Sequence, residues 1–472
     1  MTPPSMALMT DTPPVGLKPS APELVFRPGH HIDNWNPEND EQWQRAGKAI
    51  AARNLKWSIF VEFLGFVVWQ LWSIVVVQLP AAGFTFDIGQ TFWLISMPAL
   101  VGATLRFPYT FLVPKVGGRN WTVISAALLL IPAVALGIAV SNPATPFPVM
   151  LLIAGLAGFG GGNFASSMSN INYFYPQREK GWALGLNAAG GNIGVSVAQI
   201  VVPIAITLGA VGTLNLQLAG WIWIPFILLS IWGAYKFMDN VSNAKADFAG
   251  SAAALREPHL WIMSVLYLGT FGSFIGFAAV FPKVIATQFP DFSAFHLGAA
   301  AVSLAFLGAL VGSLARPFGG KLSDRFGGAK VTFVAFGVMA LGALAVVWTL
   351  PLGNFWIFLA TFILIFAATG IGNGSTYRMI PSIFSARSGV KDAHRNSGDV
   401  GTQRKTAAAI GIISAIGAYG GFVIPQVLGG SLAATGSYAN AIYGFVIAYV
   451  VFMAITAFFY LRPRSSMAGQ RV

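Results

Sequence analysis

The chain has 472 residues, of which 55% are hydrophobic and only 9% charged, against about 25% charged in an ordinary soluble domain. So few ionic groups cannot cover a water-facing surface, which excludes a globular soluble protein and requires that most of the outside meet lipid. The formal charge of +12 would suit nucleic acid only if the lysines and arginines formed a patch; they lie instead in short clusters between apolar runs, as topology signals do.

Residues 1–55 are polar, with six prolines before Pro28 and no early apolar core, so they do not form a signal peptide. Residues 1–35 are expected to lack regular structure. The stretch NPENDEQWQRAGKAIAARNL that follows has its acids early and its bases late, which predicts a short amphipathic helix lying on the cytoplasmic membrane surface.

Twelve apolar runs of about 20 residues or more then follow, at 57–79, 91–114, 121–141, 147–172, 182–208, 219–237, 259–282, 297–320, 330–350, 355–380, 406–432 and 438–461. Backbone groups in hydrocarbon must be satisfied within their own segment, so each run is expected to be a helix. The connections alternate in charge. Segments 80–90, 142–146, 209–218, 351–354 and 433–437 carry no Lys or Arg, and 283–296 carries only Lys283. The intervening ones hold Lys115 and Arg119, Arg178 and Lys180, Lys245 and Arg256, Lys321 and Arg325, and finally Arg387, Lys391, Arg395, Arg404 and Lys405. Basic connections stay in the cytoplasm, which puts both termini there.

A shift of 210 residues superimposes the chain on itself. Arg106 falls on Arg316, Gly117-Gly118 on Gly327-Gly328, Gly160 on Gly370, Gly162 on Gly372, Asn163 on Asn373 and Phe174 on Phe384. A series in one register implies two related halves. The expected organisation is a cytoplasmic tail over 1–55, a six-helix half over 56–237, a polar cytoplasmic linker over 238–258, a second half over 259–461 and a short tail over 462–472. This is an all-α membrane protein of twelve transmembrane helices, built as rocking transporters are, with substrate held between pseudo-symmetric halves.

Arg106 and Arg316 sit about three turns, or 16 Å, from the cytoplasmic Gly-Gly pairs, and a charge at such depth costs about 2.5–3.5 kcal/mol. Glu62 is the one acid within the predicted spans, so two arginines outnumber it and a mobile anion is the economical partner. The guanidinium fork donates two parallel hydrogen bonds to a planar oxyanion, as lysine does not. Nitrate, nitrite, formate and bicarbonate all fit; phosphate esters pair as well but usually recruit further cations. Glycines concentrate in the fourth, fifth, tenth and eleventh spans, where small residues let helices approach closely. Asn163, Asn187 and Asn192 lie among them as interhelical glue or anion donors, with Asn192 assigned the donor role. Phe164, Tyr267 and Phe271 share helices with small and polar residues, and their rings would lie above and below a flat anion. Five scattered histidines and no cysteine supply no metal-ligand spacing, so neither a metal nor another cofactor is expected. No acid–base constellation for a membrane enzyme is present, and the tails are too short for the output domain of a receptor.

The chain resembles the bacterial nitrate/nitrite porters of the major facilitator superfamily from about Trp35 onward. The carrying segments are GATLRFPYTFLVPKVGGRNWTV, GFGGGNFASSMSNINYFYP and GWALGLNAAGGNIGVS in the first half, then YLGTFGSFIGF, GSLARPFGGKLSDRFGG, GIGNGSTYRMI and AAAIGIISAIGAYGGFVIP in the second. The resemblance implies the major facilitator fold and nitrate and nitrite as substrates. It implies that Arg106 and Arg316 are paired substrate arginines, that Tyr267, Phe271 and Phe164 line the pocket, and that Asn192 and Ser414 are polar groups of the two signature motifs. It assigns Asp324 and Arg325 to a cytoplasmic gate, whose first-half counterpart VPKVGGRN lacks the acid. With Glu62 the one carboxyl in the predicted spans, exchange of nitrate for nitrite is the simpler cycle. The alternative is proton-coupled nitrate symport with Glu62 as the coupling group. The partners expected are the two anions and the bilayer of a bacterial cytoplasmic membrane, with no nucleic acid, and the chain is expected to be a monomer.

Overall fold

The computed structural model describes residues 23–208, 214–242, 244, 254–298, 300–387 and 400–463. The middle of the expected linker, the first 22 residues, the basic segment holding Lys391 and Arg395, and nearly all of the second tail lie outside the described residues. Among the described residues, eleven helices are long and apolar enough to cross a membrane. They are α1 (Asp40–Gln78), α2 (Ile88–Val116), α3 (Gly118–Val140), α4 (Phe147–Phe174), α5 (Gln177–Thr207), α6 (Leu218–Phe237) and α7 (Pro258–Gln288). After α8 come α9 (Gly328–Leu352), α10 (Phe355–Phe384), α11 (Ala408–Thr435) and α12 (Ala439–Leu461). Helix α8 (Phe306–Phe326) is the twelfth and is less apolar than the rest because it carries Arg316, Lys321, Asp324 and Arg325. With α8 counted, the described residues hold the twelve long helices that the sequence predicts.

The repeat is visible in the backbone. Helix α2 ends at Gly117 with φ 98° and ψ 142°, and α8 ends 210 residues later at Gly327 with φ 93° and ψ 135°. Both glycines hold a left-handed φ that a side chain would strain. Within the halves, α2 packs on α4 as α8 packs on α10; between them, α2 meets α11 and α5 meets α8, again a matched pair. Close approach is bought by missing side chains: a Cβ on Gly160 of α4 would collide with the carbonyl of Gly65 on α1.

Three expectations need correction. The stretch 36–55 does not lie on the membrane as a separate helix. Nothing after Asp40 breaks the helix, and α1 runs on through one π turn at Trp43–Gly47. Its early turns, with Glu38 just before them, stand against the start of α5: Trp43 Nε1 donates to Glu179 Oε1 at 3.1 Å, Arg178 pairs with Asp40 at 2.6 Å and Gln177 N donates to Glu38 Oε1 at 2.8 Å.

Nor is all of 1–35 irregular. β1 (Val25–Arg27) and β2 (His31–Asp33) form a hairpin, and β2 pairs in parallel with β3 (Asn240–Val241) just after α6. The first residues of the expected linker therefore belong to the first half, fixed by the buried Asp239, which accepts from Arg53 and Asn54 at 2.7 Å each. Finally, α8 begins at Phe306 rather than 297, because β4 (Phe295–Leu297) and β5 (Ala300–Val302) form a hairpin before it. Ala301 N of that hairpin donates to Thr207 Oγ1 of the first half at 2.9 Å.

Candidate functional site

Arg106 on α2 is completely buried, and Arg316 on α8 is 6% exposed. Neither forms an ion pair among the described residues. The two guanidinium groups, the Glu62 carboxyl and the Tyr267 hydroxyl are close enough to feel one another's charge. Arg106 is held from both halves. Its Nε donates to Gly161 O at 3.1 Å and its Nη1 to Ser414 O at 2.8 Å, leaving Nη2 with no partner among the described residues. Arg316 Nη1 is likewise unpartnered there, as are both side-chain polar atoms of Asn192. Leaving a buried donor unsatisfied costs about 1–3 kcal/mol, more for a charged group. Two unmet guanidinium donors in one buried region therefore point to something that visits it.

The aromatic residues surround Arg106. Its guanidinium carbon lies 4.6 Å from the Phe164 ring centre, 5.2 Å from Phe271 and 5.5 Å from Trp69. Phe164 and Phe271 face each other across the two halves at 6.3 Å and 22°. A flat anion between two rings needs about 7 Å, twice an ordinary contact distance, so this pair would open by well under 1 Å to admit one. Phe271 stacks on Tyr267, four residues earlier, at 5.3 Å, and a π turn spans Leu268–Gly272 between and around them. Such turns recur at functional sites because they re-aim side chains.

Sequence reading missed two rings, Trp69 on α1 and Tyr377, which lies 5.4 Å from the Arg316 guanidinium carbon. Tyr377 sits beside the Gly-rich stretch of α10, a signal that was there to be used; Trp69 is one tryptophan among many. Ser414 also differs from expectation. Its hydroxyl is spent on Gly411 O in its own helix, at 2.9 Å, and it is the carbonyl that faces Arg106.

Glu62 is fully buried on α1. Its Oε2 accepts from Ser167 at 2.7 Å and from Asn163 at 3.4 Å, while Oε1 has no partner among the described residues. Asn187 donates to the same Ser167 hydroxyl at 2.9 Å, so Asn163 and Asn187 serve this cluster as interhelical glue.

The expected gate residues stand apart from this site, at the end of α8. Asp324 accepts from Arg378 of α10 at 2.6 Å, and Arg325 lies against Phe326. In the first half Pro114 occupies the place of Asp324, and an amide does the corresponding work. Asn240 Oδ1 accepts from Arg119 N at 3.0 Å and Asn120 N at 3.3 Å, capping the start of α3.

Phe164, Tyr267, Phe271 and Asn192 are each no more than 1% exposed, so the site is closed to both faces. Gln199 Nε2 to Ala278 O at 2.7 Å, Gln426 Nε2 to Ser96 at 2.7 Å and Thr104 to Tyr419 at 2.9 Å join the halves around it.

Residues 60–398 match the family model of the Major Facilitator Superfamily. The chain is 44% identical over 455 residues to the nitrate/nitrite transporter NarU of Escherichia coli strain K12, covering 92% of this chain and 97% of that one. It is 38% identical to the probable nitrate/nitrite antiporter NarK2 of Thermus thermophilus, with the same coverage, and 28% identical over 389 residues to the nitrite extrusion protein of Bacillus subtilis, covering 79% and 86%. A solved bacterial homologue of the human lysosomal transporter Spinster, inward-facing and occupied, superimposes with a TM-score of 0.60 at 18% identity, over 87% of this chain and 96% of that one.

Proposed function

This chain belongs to the nitrate/nitrite porters of the major facilitator superfamily, and we propose that it exchanges nitrate for nitrite across a bacterial cytoplasmic membrane by rocking its halves about Arg106 and Arg316. It is a nitrate and nitrite transporter. The observation that carries the exchange mechanism is the charge count of the site among the described residues: two buried arginines, each with an unpartnered Nη, against the single carboxyl of Glu62.

In this reading the anion lies between the halves, taking hydrogen bonds from Arg106 Nη2, Arg316 Nη1 and the Asn192 amide, with Tyr267 beside Arg316. Phe164 and Phe271 bound its two faces, a slot that suits a planar anion and is too thin for a tetrahedral one. Without an anion the like charges of the arginines resist being closed into a dry site, and with one they are offset. Reorientation is then tied to occupancy, which makes the cycle an exchange. Asp324 and Arg325 act at the cytoplasmic gate rather than on the anion. Basic connections place both termini in the cytoplasm, and the transporting unit is the monomer, since each chain holds both arginines.

A second reading is nitrate symport with a proton carried by Glu62. It is favoured by one observation, the partnerless Oε1 of that buried carboxyl. Counterflow decides. Proteoliposomes loaded with nitrite should take up labelled nitrate with no pH gradient, and nitrate should serve equally inside. Uptake that needs an inward proton gradient and no internal anion overturns exchange and leaves symport.

A further inference from the structure

We infer that the cavity between the Gly29-His30 turn, the start of α3 and the end of α6 is a headgroup site for an anionic phospholipid. It has a volume of about 400 Å³ and is lined by Gly29, His30, Arg119, Trp232, Tyr235 and Lys236. Two of these six are cations and none is an acid. Two carboxylates stand behind the lining and both face cations or donors: Asp239 takes Arg53 and Asn54 on Oδ2 and lies 3.7 Å from His30 Nδ1 through Oδ1, and Asp33 pairs with Arg27.

The cations are held in place. Arg119 is 7% exposed, and its Nε and Nη2 donate to Tyr235 O at 2.8 and 2.5 Å while Nη1 donates to Asn120 Oδ1 at 3.1 Å. That engages three of its five N–H groups and leaves two for an acceptor. The guanidinium carbon lies 4.5 Å from the Tyr235 ring centre. Lys236 Nζ lies 5.2 Å from Trp232 and 5.6 Å from Phe237.

The second observation is the surface leading to the cavity. Leu228, Trp232 and Tyr235 are 51%, 49% and 61% exposed and stand at i, i+4 and i+7 on α6, so they form one outward stripe. It runs from the apolar part of the span to the cavity mouth, with the indole and phenol at its polar end, as at membrane interfaces. A free anion has no use for that stripe. An amphiphile does, laying an acyl chain along it and its phosphate against Arg119 and Lys236. The headgroup is anionic rather than choline-like, because Lys236 already takes the ring face of Trp232 that a quaternary ammonium would need. Bound there, the lipid joins the tail turn to α3 and α6.

The test uses the full chain, purified in neutral detergent and stripped of lipid, with thermal unfolding and native mass spectrometry as readouts. Phosphatidylglycerol should raise the unfolding midpoint by at least ~3 °C and remain bound in the gas phase, whereas phosphatidylcholine of the same chains and inorganic phosphate should not. Lys236→Gln should weaken the apparent affinity for phosphatidylglycerol about tenfold and Lys236→Arg should restore it; if Lys236→Gln does not fold, Trp232→Leu takes its place with the same expectation. Equal shifts with phosphatidylcholine, a shift reproduced by inorganic phosphate, or unchanged binding in these variants overturns the proposal.

Discussion

Arg106 donates to the main-chain carbonyl of Ser414 at 2.8 Å, joining α2 of one half to α11 of the other across 308 positions of sequence. The same guanidinium reaches Gly161 and keeps Nη2 free, so a single planar group both ties the halves together and offers a donor to substrate. An ammonium can occupy that site but cannot do the three things at once.

Arg106→Lys and Arg316→Lys are therefore expected to lower nitrate uptake in nitrite-loaded proteoliposomes by about 100-fold or more, since a charge-assisted hydrogen bond is worth about 1.5–3 kcal/mol and at least one is lost together with its alignment. The comparison is made at equal amounts of folded, reconstituted protein. Uptake near that of the parent in either variant would show that a point charge suffices there and remove the guanidinium-specific role of that arginine.

Glu62→Gln separates the two cycles. The amide keeps the shape and can still accept from Ser167 and Asn163. Under exchange, nitrate uptake into nitrite-loaded vesicles stays within about threefold of the parent, as expected when a hydrogen bond to a charged acceptor is replaced by one to a neutral acceptor. Under symport, gradient-driven uptake disappears with the proton site. A pH-jump assay on both proteins in the same vesicles reads the difference directly.

Asn192→Ala tests the donor assigned to that amide. Its side chain makes no hydrogen bond among the described residues, so its removal is expected to leave the unfolding midpoint nearly unchanged and to raise the apparent KM for nitrate by about tenfold, the worth of one hydrogen bond to a charged group. An unchanged KM assigns Asn192 to packing alone.

Gly160→Ala forces a methyl group into the carbonyl of Gly65, which should separate α1 from α4 and cost about 1–3 kcal/mol. A lowered unfolding midpoint with reduced transport is the expected result. Gly185→Ala is the control: nothing lies within 4 Å of its Cβ position, so it should behave as the parent.

Asn240 offers a second contrast in stability. Asn240→Ala removes the cap from α3 and is expected to cost about 0.5–2 kcal/mol. Asn240→Asp keeps the acceptor for Arg119 N and Asn120 N but loses the donor that now reaches Gly29 O at 3.2 Å. Its midpoint should fall between those of the parent and the alanine variant.

What was legible in the sequence was local in origin. A span announces itself by the length of its apolar run, and Arg106 and Arg316 stand out because charge is rare there. The 210-residue register needed only the chain compared with itself. What escaped depends on partners far away in sequence. β2 is three residues with no pattern of its own until Asn240–Val241 comes alongside. The π turn at Leu268–Gly272 leaves no compositional mark, and the carbonyl of Ser414 is a group every residue carries. The start of α8 was misplaced because 297–305 is as apolar as a span, while its pairing into β4 and β5 is set by the turn at Gly298, with φ 63°.

The two halves fasten their matched Gly-Gly corners by different chemistry. At Gly327 the fastening is the ion pair of Asp324 with Arg378, half open to water, while at Gly117 it is a buried amide, Asn240. Dissolved ions weaken the first and scarcely reach the second. The chain is thus built with one Gly-Gly corner that responds to ionic strength and one that does not, so a rise in salt would loosen the corner at Gly327 before the corner at Gly117.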